Sequence, residues 1–195
     1  MSSIAQVNFP RMSQLKRTTA EVHDNLDNKI MAQSPFASKE NYGDFLRFQY
    51  LLLNHVVPIY NSQQLTAFFA DLASRNRCDA IALDLQDLGM KAEGLAEQIK
   101  FEDLTLAQAV GWLYVIEGSK LGAAMLAKEV TQLGLDADFG ARFLAGPGNG
   151  RGSQWREFMQ SVEALELTSD EEQQLYQGAK DAFAVAHQLL DVIYQ

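Results

Sequence analysis

An all-α fold is predicted for this 195-residue chain by three observations: apolar residues recur at helical spacing almost end to end, only four prolines interrupt them, and no segment alternates apolar and polar residues as a half-buried strand does. The length suits one domain with a substantial core, and 47% hydrophobic with 21% charged residues is a globular balance rather than that of a disordered chain or coiled coil. Residues 1–10 read as a flexible N-terminal tail and 11–195 as the single domain.

The first helix is expected over 13–32, where Leu15, Val22, Leu26 and Ile30 share a face and Pro35 follows the end. A second is expected over 38–57, carrying Phe45, Phe48, Leu52 and Val56, with Pro58 stopping or kinking it. Shorter helices follow over 62–73 and 76–88, the latter closed by Gly89. Thr105 and Gln108 then form a capping-box pattern, and Gly134 stands where a C-cap belongs. At 1.5 Å per residue the helix between them is roughly 40 Å long. A short helix over 136–144 precedes GPGNGRG at 146–152, the strongest break in the chain. Helices over 153–166 and 169–194 complete it, the last with Ser169 and Glu172 as its capping box.

A net charge of −9 repels phosphate backbones and argues against a nucleic-acid partner. The one cysteine, Cys78, permits no intramolecular disulfide, which suits a reducing compartment. Residues 1–14 lack the basic start and apolar core of a signal peptide. The longest apolar run, 109–116, is far short of the roughly 18 residues that span a membrane. A cytoplasmic protein with no membrane partner is therefore expected. No P-loop, Rossmann glycine pattern or paired CxxC is present.

The long central helix contains a contradiction. Its caps and apolar content are strong, yet Gly111, Gly118 and Gly122 lie inside it. Each glycine costs about 1 kcal/mol relative to alanine. Gly118 and Gly122, spaced i, i+4, open one stripe, suited either to close helix packing or to a flat ligand lying on bare backbone. Ser119 adds a hydroxyl beside it, able to bind water or relieve a backbone carbonyl.

His23 on the first helix is the second anchor. Lys16, Thr19, Leu26 and Ile30 share roughly its face, and Asp27 at i+4 is placed to orient the imidazole. A buried His–Asp pair is the plain reading. A lone imidazole makes a poor zinc site but suffices as a proximal haem ligand. Lys16 is suited to a propionate or to solvent, Tyr114 to a propionate or the core, and Phe183 to a pocket wall or ordinary packing. His55 and His187 are the other conceivable axial ligands, with His55 better read as a hydrogen-bonded core histidine. Gln49 and Trp155 are candidates for a distal polar network.

Residues 111–126, GWLYVIEGSKLGAAML, closely resemble the distal helix of bacterial haem oxygenases, whose pattern is LYVxEGSxLGAA. Residues 15–30, LKRTTAEVHDNLDNKI, resemble their proximal helix, and the GxGRG–Trp region and chain length match as well. The resemblance implies an all-α haem-oxygenase-like fold with haem sandwiched between a proximal and a kinked distal helix. It implies His23 as proximal iron ligand with Asp27 behind it, and Gly118, Ser119 and Gly122 at the reacting face. Lys16 and Tyr114 would contact propionates, with Lys128 a further cation, and Phe183 would line the pocket. The implied reaction opens haem, substrate and cofactor at once, with O2 to give biliverdin, the α isomer, CO and ferrous iron. Electrons would come from a ferredoxin or flavodoxin with its NADPH-dependent reductase, and a monomer is expected. Iron acquisition from haem and chromophore supply for a phytochrome would use the same catalyst. A non-catalytic haem-transfer protein would use the same two anchors, and a thiaminase-like helical enzyme would instead need a nucleophilic cysteine.

Overall fold

In the computed structural model, which describes residues 9–92, 97–146 and 150–195, every long element is helical and no β-strand forms among those residues. Helix α1 (Pro10–Ala32) starts three residues ahead of expectation. Pro10 suits a first turn because its φ is preset and the N–H it lacks would be unpaired there. Arg11 fixes that turn, donating to Glu172 Oε1 at 2.8 Å and to the Leu165 carbonyl at 3.1 Å. The expected tail therefore loses Pro10 to the helix, and residues 1–8 of it lie outside the described residues.

Helix α2 (Lys39–His55) is capped by Ser38, whose hydroxyl accepts from the Asn41 amide at 3.1 Å. Pro58 then sits in the first turn of the short α3 (Val57–Tyr60). The single helix expected over 62–73 does not form. Leu65, Phe69 and Leu72 reach the core from α4 (Gln63–Thr66), a turn and a 3-10 segment. Helix α5 (Cys78–Asp87) ends before Gly89, which takes φ +70° as a C-terminal cap requires.

Helix α6 (Leu106–Glu129) shows both halves of the Thr105–Gln108 capping box, and it tightens through Val130–Leu133 to Gly134 at φ +73°. The helix expected over 136–144 shrinks to α7 (Arg142–Ala145). Asp136 diverts the chain: its carboxylate accepts from the amides of Asp138 and Phe139 at 2.8 and 3.0 Å, a turn that competes with the helix. Helix α8 (Arg151–Glu163) follows; residues 147–149 of the expected loop lie outside the described residues. Helix α9 (Ser169–Ile193) is capped by Thr168 and Glu171, not by Ser169 and Glu172. Both pairs fit the pattern, but Glu172 is drawn away by Arg11 and by the Tyr176 hydroxyl at 2.6 Å.

The main helix pair is α6 on α9, with α1 and α2 flanking α9 and α8 lying against α6 and α1. At the other end, the buried Asp84 of α5 pins the start of α7. It accepts from the amides of Arg142 and Phe143 at 2.9 and 2.8 Å and from the Arg142 guanidinium at 3.2 Å. Asp84→Ala leaves these buried donors unmatched and is expected to cost about 3 kcal/mol. Urea denaturation checks this as a lower midpoint at unchanged slope.

Candidate haem site

The three glycines of α6 have different surroundings. A Cβ on Gly111 would stand 2.1 Å from the Leu175 carbonyl oxygen and 2.7 Å from the Ala179 amide nitrogen. Across the crossing, a Cβ on Gly178 would stand 2.2 Å from the Gln108 carbonyl oxygen. Gly111 and Gly178 thus let α6 and α9 meet backbone to backbone. Sequence reasoning missed Gly178, although Ala179, Ala182 and Ala186 beside it mark a small-residue face. Gly118 and Gly122 do not serve that crossing. A Cβ on Gly118 would make ordinary contact with the Trp155 ring at 3.5 Å, and a Cβ on Gly122 would meet nothing within 4 Å among the described residues beyond its own helix backbone.

The exposed face begins where burial stops. Residues 115–117 are buried, Gly118 is half-buried, and Gly122 is open, with Leu121 37% and Met125 74% exposed beside it. Exposed apolar side chains next to bare backbone form a surface that a flat apolar ligand would cover. Ser119 donates to the Ile116 carbonyl at 2.8 Å, the backbone option of the two its hydroxyl offered.

His23 is not a buried core histidine: its side chain is 55% exposed. Its ring stands edge-on to Phe183, with centroids 5.7 Å apart and planes at 87°. Asp24 lies 3.7 Å from Nδ1 and Asp27 3.7 Å from Nε2, beyond direct hydrogen bonding, so the imidazole stands between two carboxylates. Asp27 was expected; Asp24 was missed, since i, i+1 neighbours on a helix ordinarily diverge. Phe183 is 4% exposed and belongs to the core while also meeting His23.

Tyr114 is half-buried on α6. Burial raises the pKa of its hydroxyl, and the Thr19 hydroxyl of α1 opposes that rise. Its ring lies 6.0 Å from that of Trp155. Thr19 is one turn before His23 and Tyr114 one turn before Gly118, and α1 and α6 both pack against α8 and α9. Lys16 is exposed and in no ion pair among the described residues; Lys128 is also exposed. No hydrogen bond among the described residues joins Gln49 to Trp155, whose ring stacks on Phe158. His55 donates from Nδ1 to the Glu97 carbonyl, the hydrogen-bonded histidine that the sequence suggested. Burial, then Asp79, pushes the Cys78 thiol up to about 11, which leaves it protonated and unsuited to nucleophilic attack.

Behind the open face lies a charged cluster that sequence reasoning overlooked. Glu117 is 5% exposed. It accepts from the Tyr60 hydroxyl at 2.5 Å, pairs with Lys120, and lies 3.5 Å from the nearly buried Arg75. Lys120 also donates to the Arg75 carbonyl at 2.8 Å. A glutamate inside the apolar run LYVIEG was the available signal, because a buried carboxylate requires partners.

Comparison with known proteins is consistent in sequence and in structure. The family described as Heme oxygenase matches residues 11–191. Heme oxygenase PigA of Pseudomonas aeruginosa is 42% identical over 173 residues, spanning 89% of this chain and 87% of that protein. A crystal structure of the NO- and CO-bound heme oxygenase of Neisseria meningitidis superposes with a TM-score of 0.87 at 38% identity, covering 96% of this chain and 92% of that one.

Proposed function

The chain belongs to the haem oxygenase family and is an enzyme that degrades haem oxidatively; from that premise we propose that His23 would hold the haem by donating an imidazole nitrogen to its iron, and that Gly118 and Gly122 would form a wall of the same pocket. The observation that carries this assignment is that α1 and α6 both pack against α8 and α9, with a half-exposed imidazole on the one and uncovered backbone on the other.

The residues present fit a porphyrin. A ring that already holds iron by four nitrogens needs one more donor from the protein, and a lone imidazole is such a donor. Asp24 and Asp27 flank the two ring nitrogens, so the nitrogen turned away from the metal retains a carboxylate neighbour to raise its basicity. Leu121 and Met125 offer apolar cover.

When bound, haem supplies both the metal that takes O2 and the ring that is opened, with biliverdin, CO and ferrous iron as products. Within that reaction His23 holds the ring, and Phe183 limits how far the imidazole can turn. Gly118 and Gly122 keep the reacting face free of side-chain bulk, and Ser119 keeps its hydroxyl on its own helix rather than in that space. Lys16, in no ion pair among the described residues, and Tyr114 are assigned to the two propionates, and this seating selects the α isomer. Chromatography of the bilin is expected to show the α isomer alone; a β/δ mixture would refute the seating. Decay of the Soret band under reductant and O2 separates turnover from the second reading, a haem carrier using the same anchors.

External electrons are required, and a ferredoxin or flavodoxin with its NADPH-dependent reductase is the donor assigned here. A monomer working in the cytoplasm to release iron from haem completes the reading. No helix among the described residues is long and apolar enough to cross a membrane.

A further inference from the structure

We propose that the cavity between the C-terminal half of α6, the start of α8 and the turn at residues 74–77 binds a small multivalent oxyanion of the phosphate or carboxylate class, independently of haem. Arg75, Arg77, Lys120 and Arg151 line it together with Ser74 and Gln154, and among the described residues no carboxylate does. Four cations around one hollow need a specific cause in a chain of net charge −9.

The charges there do not balance internally. Arg75 is matched by Asp71, at 2.9 Å from its Nε, and also faces Glu157 at 4.0 Å. Lys120 is matched by Glu117, whose second oxygen also faces Arg75 at 3.5 Å. Arg77 and Arg151 remain. Arg77 donates to the Arg142 carbonyl at 2.8 Å, while Arg151 donates to the carbonyls of Leu144 and of Lys120, the latter at 3.5 Å. Neither guanidinium forms an ion pair among the described residues. The Nε of Arg77 is buried and has no acceptor among them. Burial, then the nearby charge of Arg77, holds the Arg151 guanidinium below its ordinary pKa.

Two unneutralised guanidiniums that repel one another, one with an unmatched buried donor, are costly to maintain. The backbone carbonyls hold both planar forks in place, so a ligand need not order them. Two guanidiniums that no carboxylate pairs among the described residues, each a forked donor, suit an oxyanion that spreads two negative charges over several oxygens. A monovalent ion such as chloride has neither the charge nor the spread of oxygens to meet both arginines.

Isothermal titration and thermal melting of the full chain test this, using inorganic phosphate, succinate and chloride at matched ionic strength to cancel general screening. Phosphate or succinate is expected to bind saturably and raise the melting temperature above the chloride control. Saturation by phosphate assigns a phosphate source and saturation by succinate a carboxylate source. Arg77→Gln and Arg151→Gln are each expected to weaken binding about tenfold or more, and Lys180→Gln, on the exposed face of α9, to leave it unchanged. Should Arg77→Gln not fold, Arg77→Lys is expected to fold and to bind more weakly than the unaltered chain, because a point charge replaces the fork. The proposal is overturned if neither oxyanion exceeds chloride with the unaltered chain, or if the arginine variants titrate as it does; the carbonyl contacts would then be the whole role of these side chains.

Discussion

Replacement of His23 by alanine is expected to abolish haem turnover and remove the six-coordinate spectrum of the haem complex while leaving the chain folded. The imidazole is more than half exposed, and among the described residues its one ring contact is the edge of Phe183, so its loss removes little packing. A surface substitution of this kind changes stability by about 0.5 kcal/mol or less. The chemical consequence is far larger. Loss of an outer partner behind a ligand commonly costs about 10- to 100-fold, so loss of the ligand itself is expected to cost at least about a hundredfold in turnover. Absorbance titration with haem reads the first effect and single-turnover decay of the Soret band the second. His55→Ala is the matched control: it deletes the hydrogen bond to the Glu97 carbonyl, lowers stability and keeps the spectrum. A normal six-coordinate spectrum in His23→Ala would remove the assignment.

Alanine at two glycines of the same helix is expected to have opposite consequences. Gly111→Ala places a methyl 2.1 Å from a carbonyl oxygen of α9, and neither backbone can yield without separating the main helix pair. The expected cost is about 3 kcal/mol or more, at the upper end of overpacking. Gly122→Ala meets no atom within 4 Å, so it gains helix propensity and is expected to stabilise the chain by about 0.5–1 kcal/mol. The same methyl would stand where the porphyrin face is assigned, and haem affinity is expected to fall. Thermal melting without haem and haem titration of each variant separate the effects. A Gly122→Ala protein that binds haem as tightly as the parent would mean that the open stripe is not the ligand wall.

These outcomes turn on surroundings that glycine spacing cannot convey. In sequence, Gly111, Gly118 and Gly122 are equivalent interruptions of one apolar helix, and spacing leaves packing and ligand contact equally available. The choice is made by what faces each: the α9 backbone for Gly111, the Trp155 ring for Gly118, and no atom within reach for Gly122. Likewise, Thr168 with Glu171 and Ser169 with Glu172 are equally good capping boxes on paper, and Arg11, about 160 residues away, takes Glu172 out of the competition. Asp136 shows the opposite case, a local side-chain turn defeating a helical pattern.

Local patterning alone determined that the chain is helical, where the long helices lie and, through 111–126, which family to expect; it left His23 and the Gly118–Gly122 stripe open between ordinary packing and ligand contact. Helical periodicity, caps and motifs act over a few residues, so they can be read without knowing what lies opposite. Only the tertiary structure decided that Gly111 closes against Gly178, that Asp24 joins Asp27 beside the imidazole, and that Glu117 is held by Tyr60, Lys120 and Arg75. It alone leaves Arg77 and Arg151 without a carboxylate partner among the described residues. Those are pairings between residues far apart in the chain, and the energy of a buried charge or a close backbone approach depends on the partner that folding brings to it, not on the residues on either side.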